Sequence, residues 1–169
     1  MARPKPSDYP VFYETYIKLV TEEELIPAMR STLEEIVSFL ETIDPDKAEY
    51  RYADGKWSVK ELLQHVIDTE RIFSYRGLCI ARGEQQSLPG FDENAYAMHA
   101  DVTGKSLKEL KEELLVVRES VFMMYRGFTP AKLLLKGISN NKEVTVNAIG
   151  YMIIGHLRHH FNILKEKYL

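Results

Sequence analysis

Along "TEEELIPAMRSTLEEIVSFLETI", Leu25, Met29, Leu33, Ile36 and Leu40 recur at three- and four-residue steps. That period gathers them on one face of a helix and turns the intervening charges outward. Thr21 followed by Glu24 has the form of a capping box, so the helix is expected to open there. Pro27 falls early in it, where a missing N–H matters least. A second helix is expected from Ser58, with Glu61 completing another box, through "VKELLQHVIDTERIFSYRGLCIARG" to a stop at Gly83. A third follows the Ser106–Glu109 box and ends near Gly127. A last one runs from about Val146 to the C-terminus.

The stretches between are less regular. "DYPVFYETYIKLV" has room for a short helix, and "DPDKAEYRYADGKW" breaks the apolar pattern. Thr129-Pro130 opens a short turn of helix with Pro at its favoured first position. "NNKEVTV" reads as a turn with brief extended character, either a small hairpin or only a loop. The segment from Glu84 to Lys105 is long for a bundle connection, typically about 2–8 residues. Connections of that length often carry function or short helices of their own. With no repeat, low-complexity tract or Gly/Ser linker, residues 1–169 are expected to form one domain, with 1–20 as a lead-in. Four long helices joined by unequal loops predict an all-α four-helix bundle that is not simply up-down-up-down.

Composition narrows the function classes. The net charge is -3, and basic residues alternate with acidic ones, unlike the basic stripe of a nucleic-acid binder. No apolar run approaches the ~20 residues needed to cross a bilayer. "MARPKPSDYP" lacks the apolar core of a secretory signal, so the cytoplasm is the expected location. One cysteine, Cys79, rules out an internal disulfide framework.

The unusual chemistry lies in "GHLRHHFNIL". His156 and His160 stand one helical turn apart, among Ile149, Met152, Ile153, Leu157 and Leu164. Buried imidazoles need partners, and one metal ion can serve both rings. His159 is also at a usable spacing from His156, but it reads as nearer the edge of the apolar face. His65, in "ELLQHVIDTERIF", flanks the stripe of the second helix and is a candidate third ligand. Three histidines leave positions for water or substrate, which suits catalysis better than a closed structural site. Asp68, Glu70 or a backbone carbonyl is expected to accept the second ring N–H. Cys79 is expected as a buried structural thiol, His99 as a surface residue, Trp57 as packing and Asp92 as a helix cap. Arg71, Arg76 and Arg82 are expected in surface ion pairs, with steering of an anionic thiol as the sharper alternative.

"KWSVKELLQHVIDTERIFSYRGL", "LPGFDENAY" and "GHLRHHFNILKE", in that order, resemble the DinB/YfiT-like superfamily. The resemblance covers nearly the whole chain. It implies an up-down-down-up four-helix bundle with long connecting loops, commonly a homodimer, holding zinc or nickel on His65, His156 and His160. Many relatives carry an acidic residue just after the second ligand, where this chain has Leu157 and then Arg158. Activities implied include transfer of a low-molecular-weight thiol of the bacillithiol type to an electrophile. The alternatives are metal-dependent hydrolysis through bound water, or a bundle that binds metal or ligand without catalysis.

Overall fold

A computed structural model describes residues 1–169. After two single 3-10 turns come α1 (Glu14–Ile17), α2 (Leu25–Glu41), α3 (Val59–Ala81), α4 (Glu93–His99) and α5 (Leu107–Arg126). They are followed by α6 (Pro130–Leu133), β1 (Lys136–Ser139), β2 (Lys142–Thr145) and α7 (Val146–Lys167). Two of the expected capping boxes form. The Ser58 and Ser106 hydroxyls accept from the Glu61 and Glu109 N–H groups, and each glutamate reaches back to its serine. The third does not. α2 begins at Leu25 with Glu24 at its cap and no side-chain capping bond. Tertiary partners compete there: Arg158 pairs with Glu22, and the Tyr151 hydroxyl donates to the Glu23 carbonyl.

Pairs along the helices fix their directions. Lys105 with Gln64, Arg71 with Glu113 and Gly77 against Tyr125 advance together, so α3 and α5 are parallel. Leu25 lies against Gly150, and Phe39 packs on Phe161 with ring centroids 4.3 Å apart, so α2 runs with α7. Residues early in α3 meet residues late in α7, so these two are antiparallel. The order is up-down-down-up. A 23-residue α3 is ~34 Å long. The chain must retrace that length before α5 can start beside it, which accounts for the long connection.

That connection is tied down midway. The β1–β2 hairpin turns at Asn140 and Asn141, both with positive φ (50° and 58°), as a two-residue hairpin of right-handed twist requires. Leu88 donates to the Ile138 carbonyl and accepts from Asn140 N–H, both at 2.9 Å. Phe91 and α4 follow directly.

The apolar interior is in two parts. Leu25, Met29, Phe73, Phe122 and Ile153 belong to one; Ile36, Leu63, Ile67, Leu114 and Phe161 belong to the other. Where they meet, every long helix contributes a buried polar residue: Thr32, Glu70, Arg118 and His156. Arg118 Nη2 lies 2.8 Å from Glu70 Oε2, and both side chains are almost wholly excluded from solvent.

Two stability predictions follow from this packing. Arg118→Met strands the Glu70 carboxylate, so it should lose about 3–5 kcal/mol in urea unfolding, whereas the double variant Glu70→Leu/Arg118→Met should recover most of that loss. A Cβ at Gly155 would lie 2.1 Å from the Tyr16 carbonyl oxygen. Gly155→Ala should therefore lower stability by about 1–3 kcal/mol despite its better helix propensity, measured as a lower Tm.

Candidate functional site

His65 comes from the second turn of α3 and the other two histidines from the middle of α7. The antiparallel pairing brings them face to face. Both His65 Nε2 and His160 Nε2 lie 3.1 Å from His156 Nε2. The three ligand atoms lie within 4.8 Å of one another, and the residues are only 4–7% exposed. His156 Nε2 carries either one lone pair or one proton, so it cannot make a full hydrogen bond to both neighbours. Three lone pairs directed at a shared cation remove that conflict. Zinc–nitrogen bonds of about 2.0–2.1 Å at tetrahedral angles put neighbouring ligand nitrogens about 3.3 Å apart, close to the two shorter separations here.

Burial also sets the protonation state. Desolvation holds the His65 pKa down at about 4, and desolvation together with the neighbouring imidazoles holds His156 and His160 well below 6.5. The rings are neutral at pH 7, which is the form that ligates metal.

Aromatic contacts, not hydrogen bonds, orient the rings. Trp57 lies 4.7 Å from His65 between ring centroids, Tyr16 meets His156 edge-on at 5.3 Å, and Phe73 approaches it at 5.9 Å. Gly155 permits the Tyr16 contact by letting the end of α1 lie on the α7 backbone. The expected carboxylate acceptors are engaged elsewhere. Asp68 accepts from Gln64, Glu70 pairs with Arg118, and His160 Nδ1 has no partner. His159 is half-buried against Tyr16, outside the cluster of ligand atoms.

Other positions depart from expectation or sharpen it. Arg158 joins α7 to α2 through Glu35 and to the preceding loop through Glu22, whose carboxyl it holds down at about 2. Arg71 makes surface ion pairs with Glu113 and Asp68 as expected, and Asp92 caps α4. Arg76 does not: it is 4% exposed and donates to the Pro89 carbonyl at 2.6 Å. Arg82 lies over the Phe128 ring, and Cys79 is half-buried rather than fully enclosed. Trp57 packs, but against a site histidine. His99 is exposed.

Two recesses reach the cluster. One, of about 290 Å³, is bordered by His156, Thr69, Phe73, Arg76, Phe91 and Glu93. The other, of about 240 Å³, is bordered by His160, Trp57, Tyr52, Ile163, Tyr168 and Asn94. Glu93 and Asn94, adjacent at the start of α4, stand on either side of the division.

The sequence pattern of the DinB superfamily matches residues 28–164, which span both histidine-bearing helices. The chain belongs to the DinB superfamily. Among solved structures, YfiT from Bacillus subtilis is described as a probable metal-dependent hydrolase with an unusual four-helix bundle topology. It superposes with a TM-score of 0.68 at 18% identity, over 96% of this chain and 89% of its own. The DinB-like protein YjoA, also from Bacillus subtilis, gives a TM-score of 0.56 at 19% identity over 83% of this chain and 87% of its own. Comparison with curated proteins returns no match. No helix of this DinB protein is long and apolar enough to cross a membrane.

The depressed imidazole pKa values give a signed pH dependence. Below about 6.5 the unfolded chain takes up protons that folded His65 refuses until about pH 4. Its stabilising contribution is therefore complete above pH 6.5 and is lost as the pH falls toward 4. In chelator-treated protein, the fall in unfolding free energy between pH 6.5 and 4 should be shallower for His65→Phe than for wild type.

Proposed function

We propose that this DinB protein is a divalent-metal enzyme, with the ion on His65, His156 and His160, that activates a low-molecular-weight thiol of the bacillithiol type for transfer to an electrophile. Bound there, a zinc or nickel ion would lower the pKa of a thiol or water enough to supply a nucleophile near neutral pH. The observation that carries the transfer reading is the pair of recesses, one opening on His156 and the other on His160. Joining two organic molecules needs two seats at one reactive centre, whereas hydrolysis needs one seat and water. Trp57, Tyr16 and Phe73 exclude solvent around the rings, and the neutral imidazoles leave the cluster free of charge until a cation enters. Hydrolysis is the second reading, favoured by the description of YfiT.

Elemental analysis of protein purified without added metal tests the first half. Wild type and His159→Ala should carry near-stoichiometric zinc or nickel, and His65→Ala and His156→Ala should lose it. Retention of metal by His156→Ala would refute the ligand set. Loaded protein should then accelerate conjugation of bacillithiol with monochlorobimane, and His156→Ala should reduce the rate at least tenfold. Thiol-independent cleavage of p-nitrophenyl acetate without conjugation would favour the hydrolase instead.

A further inference from the structure

Arg76 is a buried guanidinium with no carboxylate within ion-pair distance. It is 4% exposed and has no salt-bridge partner, although Asp68, Glu70, Arg71 and Arg118 nearby in sequence or space are all paired. Its one hydrogen bond to the backbone goes to the Pro89 carbonyl. The Phe73 and Phe91 rings flank its charge, each 5.7 Å from the guanidinium carbon. Two aromatic rings favour a cation beside them, and a buried cation without a counter-ion is destabilising unless something supplies one.

A second group faces the same recess. Thr69 is 2% exposed, and its hydroxyl has no hydrogen-bond partner. A threonine within a helix ordinarily returns its hydroxyl to a carbonyl one turn back. Here the hydroxyl is buried and unpaired in the wall of a recess that His156 also lines. Phe12, Tyr13, Tyr16, Phe73 and Phe91 make the remaining wall mostly aromatic. Asp92 and Glu93 are exposed at the opening, and the Asp92 carboxylate is committed to capping α4. Acidic groups at the mouth and one cation inside disfavour a polyanion. They favour a ligand with a single carboxylate buried and a neutral or cationic body outward.

We propose that the recess beside His156 is a carboxylate-receiving subsite, in which the Arg76 guanidinium and Thr69 hydroxyl bind the anionic end of a small organic substrate against Phe73, Phe91 and Tyr16. Its catalytic role rests on the reading of the histidine cluster given above; its binding does not. The carboxylate belongs either to the thiol or to the electrophile that receives it.

Calorimetric titration with paired probes separates these cases. The pairs are phenylacetate with phenylacetamide and 3-mercaptopropanoate with 3-mercaptopropanamide, on both metal-loaded and chelator-treated protein. Wild type should prefer at least one carboxylate over its amide by about tenfold or more, and the preference should persist after chelation. Arg76→Met should abolish it, Arg76→Lys should keep part of it, and Thr69→Val should weaken it. A preference shown only by the mercaptopropanoate pair assigns the anion to the thiol. One shown by phenylacetate assigns it to the electrophile. Should Arg76→Met fail to fold, the wild-type preference after chelation and its reduction in Thr69→Val decide the question. No preference in either pair, or one that survives in Arg76→Met or vanishes on chelation, overturns the subsite. Metal content measured on the same samples keeps the outcomes apart: wild type that takes up no zinc or nickel before chelation and still discriminates refutes the metal reading and leaves the subsite standing.

Discussion

The bundle is organised around a polar layer that crosses an otherwise apolar interior. Thr32, Glu70, Arg118 and His156 lie where the two apolar clusters meet, one on each long helix. Desolvating such groups is unfavourable unless they satisfy each other. Glu70 and Arg118 offset each other's charge as an ion pair between the parallel helices α3 and α5, although Arg118 Nε and Nη1 have no hydrogen-bond partner, and the Thr32 hydroxyl donates to the Met29 carbonyl at 2.7 Å. His156 is partnered differently. It meets only two other imidazoles and aromatic edges. The member of the layer whose partners are other imidazoles is therefore the one that borders a recess.

This layer also governs which arrangements of the helices are tolerable. A slip of α5 by one turn along α3 would separate Arg118 from Glu70 and leave two charges buried alone. A slip of α7 would replace His156 and His160 beside His65 with Ile153 and Leu157. Apolar contacts are forgiving of such shifts, since leucine and isoleucine pack acceptably in several registers. The polar layer is not, so it supplies register where the apolar clusters supply most of the stability.

Much of this was legible in the sequence where the determining interactions are local. The Ser58 and Ser106 boxes, the Thr129-Pro130 turn and the start of α7 depend on residues within four positions of one another. The Thr21–Glu24 box shows the limit: the same local pattern lost to Arg158 and Tyr151, which are more than a hundred residues away. The histidines were legible because imidazole on an apolar stripe is conspicuous. Arg118 was equally conspicuous in principle, since it shares a buried stripe with Leu114, Val121 and Tyr125. An arginine in a helix rich in Glu and Lys reads as surface, however, until its partner is known. Arg76 was missed for a different reason. Its burial is created by Pro89 and Phe91, which reach it only through the return path of the long connection.

That return path links topology to chemistry. Parallel α3 and α5 require a segment running back along the bundle, and the chain uses it as a wall of the site. Leu88 bonds to the hairpin, and at Gly90 an added Cβ would come within 2.5 Å of the Asn140 side chain, so the Asn140 amide packs directly on the Gly90 backbone. Held at that point, Phe91 lies over Arg76, and Glu93 and Asn94 divide the approach to the histidines. In a simple up-down-up-down bundle, short loops would join neighbouring helices at their ends and the α3–α7 opening would be uncovered. The unusual helix order thus provides the material that gives one histidine cluster two separate and chemically different entrances, one aromatic with a buried cation and one aromatic without.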